Sequence, residues 1–152
     1  MPVNSELVGR EFPPTPPYLV GREKVREFAR AVFADAPLHT DVEAARALGH
    51  ADVVAPPTFA MVIQDLTLQQ LLSEPDSGIV LARTIHAEQK FTYSKPIVAG
   101  DELTGRLKVT GIRMMAGNAM ITSEAEITDA EGSHVVTATS VLLVGSEEKS
   151  AA

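Results

Sequence analysis

The sequence predicts one α+β domain in which an antiparallel sheet curls around a single long helix. The stretch 53–72 is apolar around most of the circumference that a helix would present, which is typical of a buried helix. After residue 79 apolar and polar residues alternate with a period of two, the period of a strand. The helical patterns precede the strand patterns along the chain, and this segregation favours α+β over α/β architecture.

The stretch 53–72 is the element around which the rest of the chain is arranged. Pro56 and Pro57 mark its start, because proline is tolerated in a first helical turn. A helix of roughly 16 residues over 57–72 would be about 24 Å long, which is enough to span a small domain. Polar residues such as Gln64 interrupt its apolar surface, so we do not expect it to cross a bilayer.

Four segments precede the central helix. Residues 1–20 are rich in proline and predict an irregular arm that runs extended over the surface. In 21–33 the apolar residues recur at i, i+3, i+4 and i+7, which predicts an amphipathic helix. Residues 34–40 predict a loop, after which Asp41 caps a short helix that Gly49 ends.

The second half of the chain predicts four strands of an antiparallel meander. Its last segment, 134–144, is apolar on both faces, so it lies either at the centre of the sheet or at a subunit interface. Strands of about ten residues run roughly 33 Å, and a long sheet rolled on one buried helix is the hot-dog arrangement. We expect one such domain over residues 1–145 and a mobile tail over 146–152. The other predicted strands and connections are 83–93, 102–112, a loop at 113–117, 119–127 and a hairpin turn at 129–132.

The composition limits the classes of function. A chain of 152 residues, 45% of them hydrophobic, can bury the core of one domain. The net charge of −7 disfavours nucleic acid and anionic membranes as partners, and the absence of cysteine excludes disulfides and thiolate chemistry. The amino terminus lacks the basic and then apolar pattern of a signal peptide, so we expect a cytoplasmic protein. Without a glycine-rich phosphate loop, metal-ligand spacing or nucleophile elbow, no cofactor or metal is expected.

Two places carry polar groups that suit catalysis. Asp35 and His39 lie in the predicted loop, where a carboxylate and an imidazole can act as an acid/base pair that activates water and protonates a carbon beside a carbonyl. The start of the central helix offers backbone N–H groups and the positive end of the helix dipole to a developing thioester enolate. Pro57 has no N–H to offer there, whereas Thr58 and Phe59 do.

Each of these features also has a purely structural interpretation. Asp35 can cap or turn the chain after the first helix, and His39 can pack or face solvent. The prolines can be helix start signals and nothing more. Spacing alone favours this structural interpretation over a catalytic one.

The sequence resembles the MaoC-like (R)-specific hydratases and dehydratases over nearly its whole length, from Leu7 to Val144. That family carries a loop of the form D-x-N-P-x-H, a helix start H-G-M, and a strand and turn F-x-x-P-V-x-x-G-D. The likeness is strongest to actinobacterial relatives of the smaller subunits of (3R)-hydroxyacyl-ACP dehydratases, and to the N-terminal dehydratase half of type I fatty acid synthases. The matching stretches are GREK at 21–24, APPTF at 55–59, HAEQ at 86–89, FTYSKP at 91–96 and AGD at 99–101.

The resemblance implies a hot-dog fold and the addition or removal of water at a β-hydroxyacyl thioester carried by ACP or CoA. When the loops are aligned on Pro37, His39 takes the place of the family histidine, but Ala34 takes that of the aspartate and Asp35 is one residue out of register. Pro-Pro-Thr replaces H-G-M, so a proline stands where the family has the glycine whose N–H holds the thioester oxygen. In the dehydratases that the chain resembles, one hot-dog subunit carries the Asp/His pair, and its partner, which shapes the acyl tunnel, carries neither.

Three functions remain open from the sequence. The first is a subunit of a (3R)-hydroxyacyl-thioester dehydratase or enoyl hydratase of fatty-acid metabolism, with a weak or absent dyad of its own, in a heterodimer with a catalytic hot-dog chain. The second is a self-sufficient homodimeric (R)-specific enoyl-CoA hydratase, with Asp35 and His39 as catalytic residues and the turn of Pro57, Thr58 and Phe59 as the substrate-binding element. The third is an acyl-thioester-binding protein without turnover.

Overall fold

A computed structural model describes residues 2–147 of the chain. The predicted mobile tail lies outside the described residues from position 148 onward. Three α-helices precede four long strands, in the order that the sequence pattern predicts, and a short strand belongs to the amino-terminal arm. The elements are β1 Tyr18–Leu19, α1 Arg22–Ala31, α2 Val42–Ala47, α3 Ala60–Leu72, β2 Thr84–Tyr93, β3 Glu102–Met115, β4 Asn118–Thr128 and β5 His134–Val144.

The five strands form one antiparallel sheet in the order β1-β3-β4-β5-β2. β3, β4 and β5 follow one another as the predicted meander, but β2 pairs with β5 and not with β3, so the four long strands do not form one meander. β5 therefore lies between β4 and β2, and this interior position accounts for the apolar residues on both of its faces. Helix α3 contacts β3, β4 and β5. The core joins helix residues such as Ile63 and Leu71 to strand residues such as Leu107 and Ile121, all fully buried. The predicted α+β hot-dog arrangement is confirmed.

Helix α3 lies directly against the sheet at Gly105 of β3. A Cβ atom on Gly105 would be 2.7 Å from Thr67 Cγ2 and 3.3 Å from Ile63 Cγ2. Glycine is therefore required here for space, because any side chain would push the helix away from the strand. The same helix face carries the buried Gln64, whose Nε2 donates to the Ala138 carbonyl at 3.2 Å.

The central helix begins later than the sequence predicts. Residues 53–55 are extended and pair with 97–99 through backbone hydrogen bonds and a bridge. Proline disfavours the α conformation of the residue before it, and Pro56 accordingly has an extended ψ of 151°. Pro57–Phe59 then forms a 3-10 turn, and the α-helix starts at Ala60 and runs for 13 residues.

The amino-terminal arm is extended, as predicted, but it completes the sheet instead of crossing the surface. The backbone N–H groups of Gly9, Phe12 and Thr15 donate to carbonyls of β3 at 2.8 to 2.9 Å. Leu7 and Val20 of the arm are buried. Because the arm covers the β3 side, β2 is left as the open edge of the described sheet.

Two strand features also differ from the prediction. Residues 113–115 belong to β3 and not to a loop, because Ala116 and Gly117, with φ values of 51° and 82°, make a tight turn into β4. A bulge after His86 breaks the alternation of β2. Ile85, which the pattern placed on the buried face, is consequently 61% exposed.

Candidate functional site

The loop that carries His39 is held against the segment that leads into α3. The Leu38 carbonyl accepts the Val54 N–H at 2.9 Å, and His39 Nδ1 lies 2.6 Å from the Val54 carbonyl oxygen. Because a carbonyl can only accept, Nδ1 carries a proton. In neutral His39 the lone pair is then on Nε2, which has no hydrogen-bond partner within residues 2–147. The half-buried imidazole can therefore accept a proton at Nε2.

Asp35 is exposed on the same loop, two residues before the 3-10 turn Pro37–His39. Within the described part of the chain, no hydrogen bond or ion pair joins its carboxylate to His39 or to another side chain. The structure thus anchors His39 near the approach to α3 but does not pair it with Asp35. A dyad in which a carboxylate orients the imidazole is absent from this arrangement, since the Val54 carbonyl takes that place.

The start of α3 presents few backbone donors. Pro57 has no N–H, and the Phe59 N–H donates to the Pro56 carbonyl at 2.9 Å. The Phe59 ring is fully buried and packs edge-on against Phe28, with ring centroids 5.2 Å apart. Phe59 is therefore a core residue with an occupied amide. Thr58 is exposed, and its N–H donates to no group in residues 2–147, so it is the free donor of this turn.

Tyr93, at the end of β2, touches this turn directly and was not singled out by the sequence. Its hydroxyl donates a hydrogen bond to the Pro57 carbonyl. Burial raises the pKa of Tyr93 to about 12, an effect that the nearby Ala60 N–H partly offsets, so the hydroxyl keeps its proton at neutral pH. The sequence signals were its alternate position with Phe91 on the apolar side of the strand and its place in the family-like stretch 91–96.

A cavity of about 330 Å³ lies at the amino end of α3. Among the predicted site residues, Pro57 contributes to its wall and His39 does not. The other lining residues come from the segment that follows β2, and they are Tyr93, Ser94, Lys95 and Pro96. The volume falls in the range of small-molecule sites, and the prolines and the tyrosine ring make the wall largely apolar.

The wall segment 94–96 is fastened to β5 and to the turn that precedes it. The Ser94 hydroxyl contacts His134 Nδ1, and His134 Nε2 lies 2.8 Å from Thr137 Oγ1. Lys95 forms an ion pair with Asp129, and this hydrogen bond lowers the pKa of the Asp129 carboxyl. These contacts fix the position of the cavity wall relative to β5.

Other parts of the described chain are weaker candidates for a functional site. A larger cavity, of about 610 Å³, lies at the opposite end of the strands beside Arg83 and Met114, away from the start of α3. No three His, Asp or Glu side chains of residues 2–147 come together as metal ligands would. In the same range, no helix combines the length and the apolarity that a bilayer span requires.

Comparison with known proteins identifies the class to which this domain belongs. The family described as "FAS1-like, dehydratase domain region" matches residues 6–138. A UPF0336 protein of Clavibacter michiganensis subsp. michiganensis is 60% identical over 148 residues, which cover 97% of this chain and 99% of the relative.

Two solved structures are similar at the level of both fold and sequence. The C-terminally truncated HadBC complex of Mycobacterium tuberculosis, a 3R-hydroxyacyl-ACP dehydratase, has a TM-score of 0.82 at 32% identity, covering 90% of this chain and 96% of that one. A MaoC-like dehydratase has a TM-score of 0.82 at 37% identity, covering 93% of this chain and 43% of its own.

Fold and matches together define a hot-dog domain of the MaoC-like dehydratase type, so the resemblance seen in the sequence is confirmed. The chain belongs to the FAS1-like dehydratase region family, and it is similar along its length to actinobacterial UPF0336 proteins.

Proposed function

We propose that this chain is a subunit of a (3R)-hydroxyacyl-thioester dehydratase, or of an enoyl hydratase when the reaction runs in reverse, and that a second hot-dog chain supplies the catalytic Asp/His pair. The start of α3 carries the proposal. A helix normally offers several free N–H groups at this end, but here two prolines have none and the Phe59 N–H is occupied, which leaves Thr58. The Asp35 carboxylate, which pairs with no side chain in the described part of the chain, supports the same proposal.

The open edge of β2 supports the pairing with a second chain. An edge strand presents unpaired backbone donors and acceptors to which another strand can add. Ile85 in this strand is 61% exposed and Leu81 just before it is 70% exposed, so an apolar surface accompanies the free backbone groups. HadBC, to which the chain is similar, is itself a complex.

The test is a hydration assay on the chain alone, on a MaoC-like chain with an intact D-x-N-P-x-H loop, and on the two co-expressed. Loss of the enoyl absorbance of crotonyl-CoA reports the reaction, and the matching crotonyl-ACP distinguishes the carriers. We expect a stable complex whose rate exceeds the sum of the separate chains. Full activity of this chain alone would contradict the proposal.

Substitution of His39 distinguishes the hypothesis of a subunit that needs a partner from that of a self-sufficient enzyme. In the complex, His39→Ala should leave the rate within about twofold, whereas the equivalent change in the partner should lower it by about 100-fold or more. His50→Ala is the matched control, since His50 is also half-buried and its imidazole has no hydrogen-bond partner within residues 2–147.

A homodimeric hydratase is the second candidate, and the free Nε2 of His39 is the observation that favours it. In that case the chain alone hydrates crotonyl-CoA, and His39→Ala removes the activity. A chain that binds acyl-CoA but is inert with and without the partner would instead be a thioester-binding protein, which a rise in melting temperature with acyl-CoA would detect.

A further inference from the structure

The peptide bond between Pro57 and Thr58 has one end held and the other free. Its carbonyl oxygen accepts the Tyr93 hydroxyl, and its N–H, which belongs to Thr58, donates to no group in residues 2–147. A trans peptide is planar, and its C=O and N–H point in opposite directions. None of the described peptides is cis. A contact that fixes this carbonyl therefore also fixes the direction of the Thr58 N–H.

We infer that Tyr93 is a positioning residue of the thioester site, whose hydroxyl orients the Thr58 N–H as the hydrogen-bond donor to the thioester carbonyl oxygen. This inference rests on the proposed function, because it requires a thioester to bind at the start of α3. It assigns a role to a residue that makes no contact with the substrate oxygen itself.

The other contacts of the turn do not by themselves fix the direction of this peptide. The Phe59 N–H bond to the Pro56 carbonyl closes the turn around the Pro57–Thr58 peptide, but the same bond closes type I and type II turns, in which the central peptide has opposite directions. The Phe59 ring packs against Phe28, beyond this peptide. The Thr58 side chain is exposed, and the α-helical ladder starts only at Ala60. Tyr93 is thus the contact that sets the orientation of this amide.

Tyr93 is itself on a rigid support, as a positioning residue must be. It is half-buried next to Phe91, with ring centroids 6.4 Å apart. The following residue, Ser94, donates its backbone N–H to the Val135 carbonyl at 2.8 Å and contacts His134 through its hydroxyl. The hydroxyl of Tyr93 is therefore held in place by β5 and not by the turn that it orients.

The experiment compares Tyr93→Phe with wild type in the full chain, alone and with its partner. Butyryl-CoA, a saturated thioester that cannot be hydrated, is titrated by calorimetry. Its thioether analogue, S-butyl-CoA, has the same four-carbon chain on sulfur but lacks the carbonyl. The NMR order parameter of the Thr58 amide, which reports how far its direction is fixed, is measured in parallel on the free chain. Tyr18→Phe is the matched control, because Tyr18 is the other tyrosine of the chain and is also half-buried.

We expect Tyr93→Phe to weaken butyryl-CoA binding by about three- to tenfold, the effect of one misplaced hydrogen bond, and to leave S-butyl-CoA binding unchanged. The order parameter of the Thr58 amide should fall in Tyr93→Phe but not in Tyr18→Phe. An equal loss of affinity for both compounds would overturn the inference, because Tyr93 would then act only on structure. If wild type binds neither compound, the proposed function fails, and the amide still decides the role of Tyr93: an unchanged order parameter of Thr58 refutes it.

Discussion

Replacement of Gly105 by alanine tests how closely the central helix lies on the sheet. The added Cβ would be 2.7 Å from Thr67 Cγ2. Thr67 cannot easily turn away, because it is fully buried, its β-branched side chain has few rotamers, and its hydroxyl donates to the Gln64 carbonyl at 2.6 Å. Overpacking of this kind costs about 1–3 kcal/mol. Alanine regains about 0.5–1 kcal/mol over glycine within a strand, so we expect a net loss of about 1–2 kcal/mol.

A second substitution identifies the clash. Thr67→Ser removes Cγ2 and keeps the hydroxyl, so Gly105→Ala should cost much less in the Thr67→Ser background than in wild type. This non-additivity is the expected signature of two side chains in contact. Gly111→Ala is the control, because a Cβ on Gly111 meets nothing within 4 Å and its φ is not left-handed.

Urea denaturation of the four proteins and the control gives the free energies of unfolding from the midpoints, provided that the slope m stays constant. A Gly105→Ala variant as stable as wild type would refute the close approach. A loss that Thr67→Ser does not relieve would show that another atom causes it.

Three further substitutions have expected signs. Phe33 has a φ of 59° and a side chain 90% exposed at the end of α1, so Phe33→Gly should raise the free energy of unfolding by up to about 1 kcal/mol in urea; a loss would contradict the strain. The Arg22 hydrogen bond lowers the pKa of Asp52 to about 2. Stability from this pair is therefore present above pH 3.8 and lost as pH falls toward 2. Asp52→Asn should accordingly lower the free energy of unfolding in urea at pH 7 but have little effect at pH 2. The expected loss at pH 7 is only about 0.5–1 kcal/mol, because Arg22 is nearly half exposed. The raised pKa of Tyr93 predicts stability that is present below pH 10 and lost as pH rises toward 12, and urea unfolding of Tyr93→Phe between pH 8 and 11 should show a weaker alkaline loss.

Local periodicity was enough to predict most elements of the fold. The predicted helix over 21–33 appears as Arg22–Ala31, with Val25 and Ala29 fully buried. Asp41 accepts N–H bonds from the first turn of α2. These features depend on neighbours within one or two turns, so the sequence contains the information directly.

The errors fall where a distant segment decides the local conformation. Residues 53–55 are as apolar as the helix that follows, yet they are extended because they pair with 97–99. The bulge in β2 depends on its register with β5, which the residues of β2 alone do not determine. Non-local pairing of this kind is what a short-range pattern omits.

The candidate site shows the same division. The sequence singled out the start of the central helix and the histidine of the preceding loop, because prolines and a family motif mark both. It did not identify Tyr93, since the contact with Pro57 spans 36 residues. Nor could spacing reveal that His39 bonds to the Val54 carbonyl and not to Asp35, which depends on how the loop folds back.

The two prolines at the start of α3 have opposite effects on folding and on chemistry. Their fixed φ favours the extended entry and the 3-10 turn, so they stabilise the one helix around which the sheet is built. The same rings remove backbone donors where an oxyanion needs them. In a chain that catalysed the reaction alone, the loss of transition-state stabilisation would outweigh the gain in folding stability, since each missing donor raises the barrier by a few kcal/mol. In a two-chain enzyme the groups of the partner complete the site around the Thr58 N–H, and the missing donors then carry less catalytic cost, so the rigid start of α3 fits the proposed subunit, which holds the substrate while its partner performs the proton transfers.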